Sequence, residues 1–404
     1  MNTSSRRLAP LLAALAMIGP FAIDTFFPAF RVMGAYFAVS PAGMQQTISV
    51  YLAVYGVMAL FHGPLSDAYG RRPVILVFST LFVLASLGCA LAPSFGALLF
   101  FRALQGIAAG AGLIIGRAII RDRFSGADAQ KLMSQVTLIF GIAPAIAPLI
   151  GGWLLAATGD WRPLFGFLCG FALLLTLCCV WMLPETHPPA ARTPLRPSTL
   201  ARTYLSMLRD GPFVWLSLAA GFNFGSLFIY IASAPVFVLD VLKLGEKDFA
   251  WLFVPAIGGM MVGAAVSGRL AGKRTPAQMM RLCYRLLAIG IVTNLLVNLL
   301  LPPGVPWSVL PICLIGAGIA VAFPTINLLV LDRFPATRGA GSSLQTAISL
   351  LMMSVLAGAI APLLAHQPLA LACGSASMSV IGYLCWRVAC QRQAVQALRP
   401  LISA

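Results

Sequence analysis

Charged side chains are scarce in this sequence. Asp, Glu, Lys and Arg make up only 9% of its 404 residues, and just 11 residues are acidic. A soluble protein of this length carries roughly 25% charged residues, because its surface must be wetted by water. The shortage excludes a water-soluble enzyme. Since 60% of the residues are hydrophobic, it indicates an integral membrane protein.

Patterned cysteines and histidines are also lacking. All nine cysteines lie within or at the edge of apolar stretches, no two form a CxxC pair, and His62, His187 and His366 are scattered. Such spacing implies neither a disulfide framework nor a zinc site. No nucleophile paired with a base is apparent, so we expect no metal, no cofactor and no enzymatic activity. A channel is equally unsupported.

Long apolar runs are what the sequence has instead. A membrane helix needs about 20 mostly apolar residues. Twelve such runs are present, at about 8–30, 45–65, 74–92, 96–119, 132–156, 163–183, 213–238, 250–270, 280–301, 308–330, 343–364 and 369–389. We therefore predict an all-α membrane protein with two pseudo-symmetric six-helix bundles, 1–183 and 213–390. The Pro- and Arg-rich interval 184–212 is the predicted linker, and 391–404 the tail.

The net charge of +16 has two interpretations, nucleic-acid binding or a membrane-topology signal. With alternating spans, 22 Lys and Arg residues, from Arg6 and Arg7 to Arg399, fall on one side. The other side has only Arg31, Arg162, Lys243 and Lys247. This asymmetry favours topology over nucleic-acid binding and predicts that both termini are cytoplasmic. The first apolar run is longer than a signal-peptide core, so we interpret it as a membrane helix.

The two halves of the chain resemble each other weakly. GPLSDAYGRRP at 63–73 is echoed by GRLAGKRTP at 268–276, DRFS at 122–125 by DRFP at 332–335, and AIAPLI at 145–150 by AIAPLL at 359–364. The three matches keep the same order at slowly growing offsets. They indicate duplication of a six-helix unit, which is typical of transporters with a substrate site between the halves.

Two ionisable residues stand out inside the predicted spans. Asp24 lies about 24 Å into the first span and Arg102 about 10 Å into the fourth, at a rise of 1.5 Å per residue. Because these spans run in opposite directions, the two side chains lie at nearly the same depth. A titrating carboxylate beside a fixed cation is one interpretation, since intramembrane charges usually serve a mechanism. A static ion pair is the alternative.

Three further groups of residues are candidates for function. In GPLSDAYGRRP, Gly63 and Gly70 predict a tight turn, and Asp67 is a candidate acceptor at a helix N-terminus. Arg71 and Arg72 can pair with an acid such as Asp122. A simple basic turn explains the same residues equally well. Pro144, Pro148, Gly151 and Gly152 crowd the fifth span, where they permit either flexing or close packing. Candidates for lining a substrate cavity are Phe26, Tyr51, Tyr55, Phe140, Asn223, Phe228 and Tyr230.

The motifs resemble those of the major facilitator superfamily. Its marks are GPLSDAYGRRP after the second span, RALQGIAAG at 102–110 and APLIGG at 147–152, the last similar to a motif of its proton-coupled drug antiporters. IDTFFPAF at 23–30, RDRF at 121–124 and PET at 184–186 narrow the resemblance to the Bcr/CflA drug-resistance group. The resemblance covers nearly the whole chain.

The resemblance implies roles for individual residues. Asp24 would couple protons to substrate, with Arg102 beside the proton path. The inner gate that stabilises an outward-open state would comprise Gly63, Asp67, Gly70, Arg71, Arg72 and Asp122, and the antiporter motif Ala147, Pro148, Gly151 and Gly152. The chain departs from the family at Ala68, where a basic residue is usual, and at Ala147, which replaces the glycine of a Gly-Pro pair.

The resulting hypothesis is a proton-driven antiporter of the bacterial cytoplasmic (inner) membrane that exports small, mostly apolar drugs and confers antibiotic resistance. The expected partners are protons, a small-molecule substrate and the lipid bilayer, with no nucleic acid, and the protein is expected to be a monomer. The alternative is a dedicated transporter of one metabolite, such as an amino acid or a sugar, with the same fold.

Overall fold

The computed structural model describes the backbone of residues 3–402 and the side chains of 8–125, 128–133 and 135–392. Within these residues, twelve helical stretches are long and apolar enough to cross a membrane. They coincide with the twelve apolar runs of the sequence, so the predicted all-α membrane fold is confirmed. Most helices extend beyond the apolar run by a few residues, because polar helix ends can still form backbone hydrogen bonds.

The N-terminal half contains six spans built from seven helices, because the first span is broken. Its elements are α1 (Thr3–Asp24), a 3₁₀ turn (Phe27–Ala29), α2 (Phe30–Phe37), α3 (Pro41–Tyr69), α4 (Arg71–Ala90), α5 (Phe95–Arg123), α6 (Gly126–Thr158) and α7 (Arg162–Met182). Two helix starts follow directly from sequence. The Ser40 and Ser94 hydroxyls accept the backbone amides of Gly43 and Ala97, each at 3.2 Å, as N-cap serines do.

The C-terminal half repeats this arrangement after a linker helix, α8 (Pro197–Arg209). Its elements are α9 (Gly211–Ala232), α10 (Ala234–Val236) with a π turn to Val241, α11 (Ala250–Leu270), α12 (Pro276–Leu300), α13 (Leu310–Asp332), α14 (Arg338–Val355) with a π turn to Ile360, α15 (Ala361–Leu364) and α16 (Pro368–Ile402). Thr275 and Gln278 form a reciprocal capping box at the start of α12.

Short connections make consecutive spans alternate in direction, so the molecule has two ends. We call the end with the α3–α4, α5–α6, α11–α12 and α13–α14 connections and α8 the basic face, and the other end the opposite face. The sequence assigns 22 cations to the basic face; the side chains of Arg6, Arg7 and Arg399 lie outside those described. The four cations Arg31, Arg162, Lys243 and Lys247 lie at the opposite face, beyond or near the ends of spans.

Each half packs around a central helix. In the N-terminal half α5 contacts α1, α3 and α4, and in the C-terminal half α13 contacts α9, α11 and α12. The halves meet where α3 lies along α14 and α6 along α11. Large apolar side chains cover the outside, such as Trp181, Leu300 and Leu363, which are 77%, 72% and 81% exposed. Water would penalise such a surface, whereas lipid tails accommodate it.

Contacts at the opposite face join the two halves. Arg31 donates through Nε to Asp240 Oδ1 at 2.9 Å and through Nη2 to the Leu239 carbonyl at 2.8 Å. Nearby, the rings of Phe27 and Phe253 pack with centroids 6.2 Å apart. An ion pair, a backbone hydrogen bond and an aromatic contact therefore hold this end of the interface together.

The linker contains a helix that apolar-run counting does not detect, because its 13 residues are mixed polar and apolar. In α8 the side chains of Tyr204 and Met207 are buried, and the Tyr204 hydroxyl donates to the Leu60 carbonyl at 2.7 Å. Burial raises the pKa of Tyr204 to about 12, against the opposing effect of a hydrogen bond to Ser343. The linker is thus docked on the basic face, in contact with α3 and α14.

Candidate functional site

The first span is interrupted at Asp24. Helix α1 ends at this residue, a 3₁₀ turn follows, and the chain continues as α2. Asp24 is 3% exposed, and its Oδ1 has no hydrogen-bond partner; the neighbouring Thr25 hydroxyl also lacks one. A buried carboxylate without a partner is costly as an ion. The interruption therefore places an uncompensated, titratable group in the middle of the bundle.

Arg102 lies beside this interruption, fully buried. Its Nη1 donates to the Ala22 carbonyl at 2.8 Å and to Gln105 Oε1 at 2.7 Å, and its Nε donates to the Thr47 carbonyl at 3.0 Å. The guanidinium also faces the rings of Phe26 and Tyr51, at 4.8 and 4.3 Å from their centroids. Backbone carbonyls and aromatic faces thus compensate a buried cation without neutralising it.

The two buried charges lie close together but are not an ion pair. Within the described side chains, the ion pairs found within 4.0 Å do not include one between Asp24 and Arg102. Arg102 instead donates to the Ala22 carbonyl, two residues before Asp24, and faces the ring of Tyr51, whose hydroxyl donates to the Gly19 carbonyl at 3.1 Å. The expectation that the two residues share one depth holds, whereas a static salt bridge is absent.

Two glycines of the fifth span, in α6, lie against backbone rather than side chains. A Cβ on Gly151 would overlap the carbonyl oxygen of Thr25, in the interruption beside Asp24. A Cβ on Gly152 would overlap the carbonyl oxygen of Glu246, in the C-terminal half. Small residues allow this close approach. The glycine pair therefore joins the carboxylate region to the opposite half, while Ala147 is buried and Pro148 lies one turn before them in the same helix.

A charged cluster occupies the basic face between α3, α4 and α5. Arg71, 8% exposed at its side chain, forms ion pairs with Asp67 and, at 3.0 Å, with Asp122. Its Nη1 also donates to the Ser66 hydroxyl at 2.6 Å. The structure thus brings together Asp67, Arg71 and Asp122. Arg72 lies apart, since its side chain donates to the Val180 carbonyl at 2.7 Å.

Two expectations about this loop are wrong. Gly63 does not open a turn, because α3 continues through it to Tyr69; only Gly70, with φ +101°, makes the turn. Asp67 does not cap a helix N-terminus, because its carboxylate accepts from the Arg71 side chain. Both errors come from placing the end of the helix too early, at the edge of the apolar run.

Glu185 performs the capping instead. Its carboxylate accepts the amides of Arg71 and Arg72, at 3.0 and 3.3 Å, at the N-terminus of α4. A Cβ on Gly70 would come within 2.6 Å of Glu185 Oε2, and Thr186 donates to Asp122 at 3.2 Å. Sequence reasoning missed this role. The PET motif at 184–186 drew attention to Glu185. Nothing in its spacing, however, shows that Glu185 contacts the α3–α4 loop, 115 residues earlier in the chain.

The proposed cavity residues of the N-terminal half are differently placed. Phe26 is fully buried, stacked on Phe30 and Phe165. Tyr51 and Tyr55 are buried next to each other, with centroids 6.1 Å apart. Phe140 on α6 is half-buried. Phe26 and Tyr51 therefore support Arg102, and the role of all four in lining a cavity stays a prediction.

The candidates in the C-terminal half lie in neutral hydrogen-bond networks. Asn223 donates to the Tyr284 hydroxyl at 3.1 Å, and Tyr230 accepts from Asn294 at 2.7 Å. Both contacts link α9 to α12. Phe228 stacks on Phe224, with centroids 6.1 Å apart. These side chains are nearly fully buried, and their contact with a substrate also stays a prediction.

Among the described residues, twelve spans in two packed halves, with Asp24 and Arg102 buried in one of the halves, are the arrangement of a membrane transporter of the two-bundle type. A family model of the Major Facilitator Superfamily matches residues 12–362, and the chain belongs to this family. Its relatives place it within the Bcr/CflA drug-resistance group. The family consists of transporters, so the protein is a transporter and not an enzyme.

Several curated relatives and solved structures support the assignment. The chain is 32% identical to the uncharacterized MFS-type transporter YdgK of Bacillus subtilis, covering 87% of each chain. It is 28% identical to multidrug resistance protein D of Escherichia coli, covering 93% of this chain and 94% of the relative. It is 29% identical to the bicyclomycin resistance protein homolog of Haemophilus influenzae, over 67% and 68%.

Solved structures share the fold. A bacterial homolog of the human lysosomal transporter Spinster, in an inward-facing and unoccupied conformation, superposes with a TM-score of 0.74 at 15% identity, covering 96% of this chain and 97% of that one. The human organic anion transporter MFSD10 gives 0.70 at 19% identity, covering 96% and 100%.

Proposed function

We propose that this transporter is a proton-coupled antiporter that exports small, mostly apolar drugs by alternating access. The observation that carries the proposal is Asp24, a buried carboxylate with an unpartnered oxygen in a broken span. Relatives named for resistance to bicyclomycin and to multiple drugs support the choice of substrate class. The motive force would be the proton gradient, without a cofactor.

Asp24 suits a coupling role because its two protonation states require very different surroundings. The ionised form requires compensation by water, a cation or a substrate, whereas the protonated form tolerates burial. Arg102 holds a positive charge nearby, since its Nε and Nη1 donate to two backbone carbonyls and to Gln105, while its buried Nη2 has no partner. Binding of either a proton or a substrate, but not both, would then link the two fluxes.

The glycine pair of α6 provides a route from Asp24 to the movement of the halves. Gly151 lies against the interruption beside Asp24 and Gly152 against the C-terminal half. Because neither contact has room for a side chain, a shift of the interruption displaces α6 relative to the opposite half. The interface, with the Arg31–Asp240 pair at one end, would open and close in response.

Two sets of contacts would form the gates. The pair between Arg31 and Asp240 joins the halves at the opposite face. The cluster of Asp67, Arg71 and Asp122 lies at the basic face and would stabilise the alternative, outward-open state. We further propose that the basic face is cytoplasmic, that both termini lie there, that the membrane is the bacterial inner membrane and that the protein acts as a monomer.

The experiment begins with growth of an efflux-deficient bacterial strain expressing the protein, across a panel that includes bicyclomycin and chloramphenicol. The compound with the strongest protection then becomes the probe in proteoliposomes, in which a pH gradient drives its accumulation. We expect Asp24→Asn to abolish gradient-driven transport. The control Asp128→Asn changes an exposed carboxylate in the same half and should transport normally.

Undiminished gradient-driven transport by Asp24→Asn would remove Asp24 from the mechanism. Protection against a single metabolite analogue, with no effect on the drugs of the panel, would instead favour a dedicated metabolite transporter. Equal reconstitution of wild type and both variants, checked by protein content of the vesicles, excludes loss of folding as the cause.

A further inference from the structure

The region around the α11–α12 connection carries an unusual charge. Residues 268–285, which begin with the echo of GPLSDAYGRRP at 268–276, contain Arg269, Lys273, Arg274, Arg281 and Arg285 and no acidic residue. The segment joins two membrane spans at the basic face. A concentration of five cations within 18 residues repels itself unless anions are close.

Three of these arginines surround a cavity. Arg274, Arg281 and Arg285 line a space of about 360 Å³ together with Gln278, Leu270, Met279 and Leu282. We call this space the 274–285 pocket. Gln278, Arg281, Leu282 and Arg285 recur at the three- and four-residue spacing of one helix face, so α12 forms one wall, and the end of α11 with its following loop forms the other.

The side chains of the three pocket arginines have no partner among the described side chains. Those of Arg274, Arg281 and Arg285 take part in none of the hydrogen bonds or ion pairs there, and all three residues are exposed. The pocket also adjoins the N-terminus of α12, where the helix dipole is positive. Its electrostatics therefore favour an anion with several acceptor oxygens, such as a phosphate group.

The corresponding α3–α4 loop of the N-terminal half has acidic partners for its charges. There Arg71 pairs with Asp67 and Asp122, and Glu185 caps the following helix. The C-terminal loop lacks such acids: Asp332, which stands in the DRF sequence that repeats Asp122, pairs with Arg338 instead. Among the described side chains, the C-terminal loop therefore has cations without the acidic partners that its N-terminal counterpart has.

Position and lining identify the missing anion. The pocket lies at the ends of two spans, at the level of lipid headgroups, and Leu270, Met279 and Leu282 give it an apolar wall beside the cations. A free phosphate ion gains nothing from contact with an apolar wall, whereas a lipid presents a phosphate joined to acyl chains that can pack against it. Basic pockets between spans bind anionic headgroups for this reason. We propose that the 274–285 pocket binds the phosphate headgroup of an anionic membrane lipid.

The test is retention of lipid by the purified protein. Protein reconstituted in nanodiscs of nine parts phosphatidylcholine and one part phosphatidylglycerol is extracted into detergent, and the lipid that remains bound is quantified by mass spectrometry. Wild type should retain phosphatidylglycerol selectively. The triple variant Arg274→Gln, Arg281→Gln, Arg285→Gln should retain at least about tenfold less, since each cation near the surface contributes to binding.

A matched control removes the same charge from the same face. Arg196, Arg202 and Arg209 are exposed arginines in and beside α8, and changing all three to Gln should leave retention at the wild-type level. Equal loss in both triple variants would mean a general charge effect and would overturn the proposal. So would full retention in the pocket variant.

Two further arms keep the outcome decisive. If the triple variant folds poorly, the double variant Arg281→Gln, Arg285→Gln alters only exposed positions of α12 and should still lose selectivity. Inorganic phosphate at millimolar concentration, added to protein in pure phosphatidylcholine, should not raise thermal stability. A stabilisation by phosphate equal to that by phosphatidylglycerol would assign the pocket to a free anion and contradict a lipid site.

Discussion

The two halves of the molecule share a fold but not a chemistry. At the basic face, Arg71 at the α3–α4 loop lies in a cluster with Asp67 and Asp122. At the matching α11–α12 loop and the start of α12, Arg274, Arg281 and Arg285 are unpaired among the described side chains. The same helical hairpin therefore carries a charge cluster in one half and a basic pocket in the other.

The same contrast appears inside the spans. The N-terminal half buries Asp24 and Arg102, while the C-terminal half uses neutral pairs, in which Asn223 contacts Tyr284 and Asn294 contacts Tyr230. Neutral pairs satisfy buried polar groups without any charge to move. Under the proposed function, the half with Asp24 would handle the proton and the other half would provide a supporting surface.

The strongest test of this contrast compares Asp122→Asn with Asp332→Asn, the same change in the two DRF sequences. Asp122 accepts from Arg71, whose side chain is only 8% exposed. We therefore expect Asp122→Asn to weaken the cluster of Asp67, Arg71 and Asp122 by about 1.5–3 kcal/mol. This should lower transport at least about tenfold. Asp332 pairs with Arg338 at the surface, where an ion pair contributes less than about 1 kcal/mol. Transport rates in proteoliposomes should differ accordingly.

The next comparison concerns the glycines of α6. Gly151→Ala introduces a methyl group against the backbone carbonyl of Thr25, which cannot move aside as a side chain can. We expect a loss of stability of about 1–3 kcal/mol together with a loss of transport. Gly141, in the same helix, has nothing within 4 Å of a Cβ. Gly141→Ala should be neutral or slightly stabilising, and equal thermal stability of both variants would refute the contact.

A third comparison places the same change in the two repeated loops. Both Gly70 and Gly272 have positive φ, +101° and +73°, so alanine is strained at each, by about 1–2 kcal/mol. At Gly70 a Cβ also meets the Glu185 carboxylate and Arg192, whereas the space around Gly272 is open. Denaturation should therefore show a larger loss for Gly70→Ala. Equal losses of stability in Gly70→Ala and Gly272→Ala would mean that Glu185 does not stabilise the α3–α4 loop.

The smallest expected effect concerns the linker helix, which touches both halves. Tyr204→Phe removes the hydrogen bond to the Leu60 carbonyl and should reduce stability by about 1 kcal/mol. Because burial raises the pKa of Tyr204 to about 12 from an ordinary value near 10, folding favours the neutral phenol. The wild type should lose this contribution progressively above about pH 10, and the variant should not. Tyr69→Phe, at an exposed position, serves as the control.

Much of the fold followed from sequence because a membrane span is a local property. Twelve apolar runs predicted twelve spans, and a rise of 1.5 Å per residue was enough to place Asp24 and Arg102 at one depth. The GPLSDAYGRRP motif likewise pointed to Asp67, Arg71 and Asp122, which form the charged cluster of the basic face. Counting along the chain suffices where each residue's position depends only on its own helix.

The missed features all depend on contacts between distant parts of the chain. The break after Asp24 coincides with the close approach of Gly151, more than 120 residues later, and Glu185 caps a helix that begins at Arg71. The separation of Asp24 and Arg102 arises because the arginine finds backbone carbonyls and Gln105. No periodicity or composition reports which carbonyl a side chain will meet.

Proton release on substrate binding tests the central claim most directly. The probe compound identified by growth protection is added to purified protein in weakly buffered detergent solution, and the pH change is recorded. If substrate and proton compete through Asp24, wild type releases protons on binding, while Asp24→Asn binds the compound and releases none. Equal proton release by wild type and Asp24→Asn would contradict the assignment of coupling to this carboxylate.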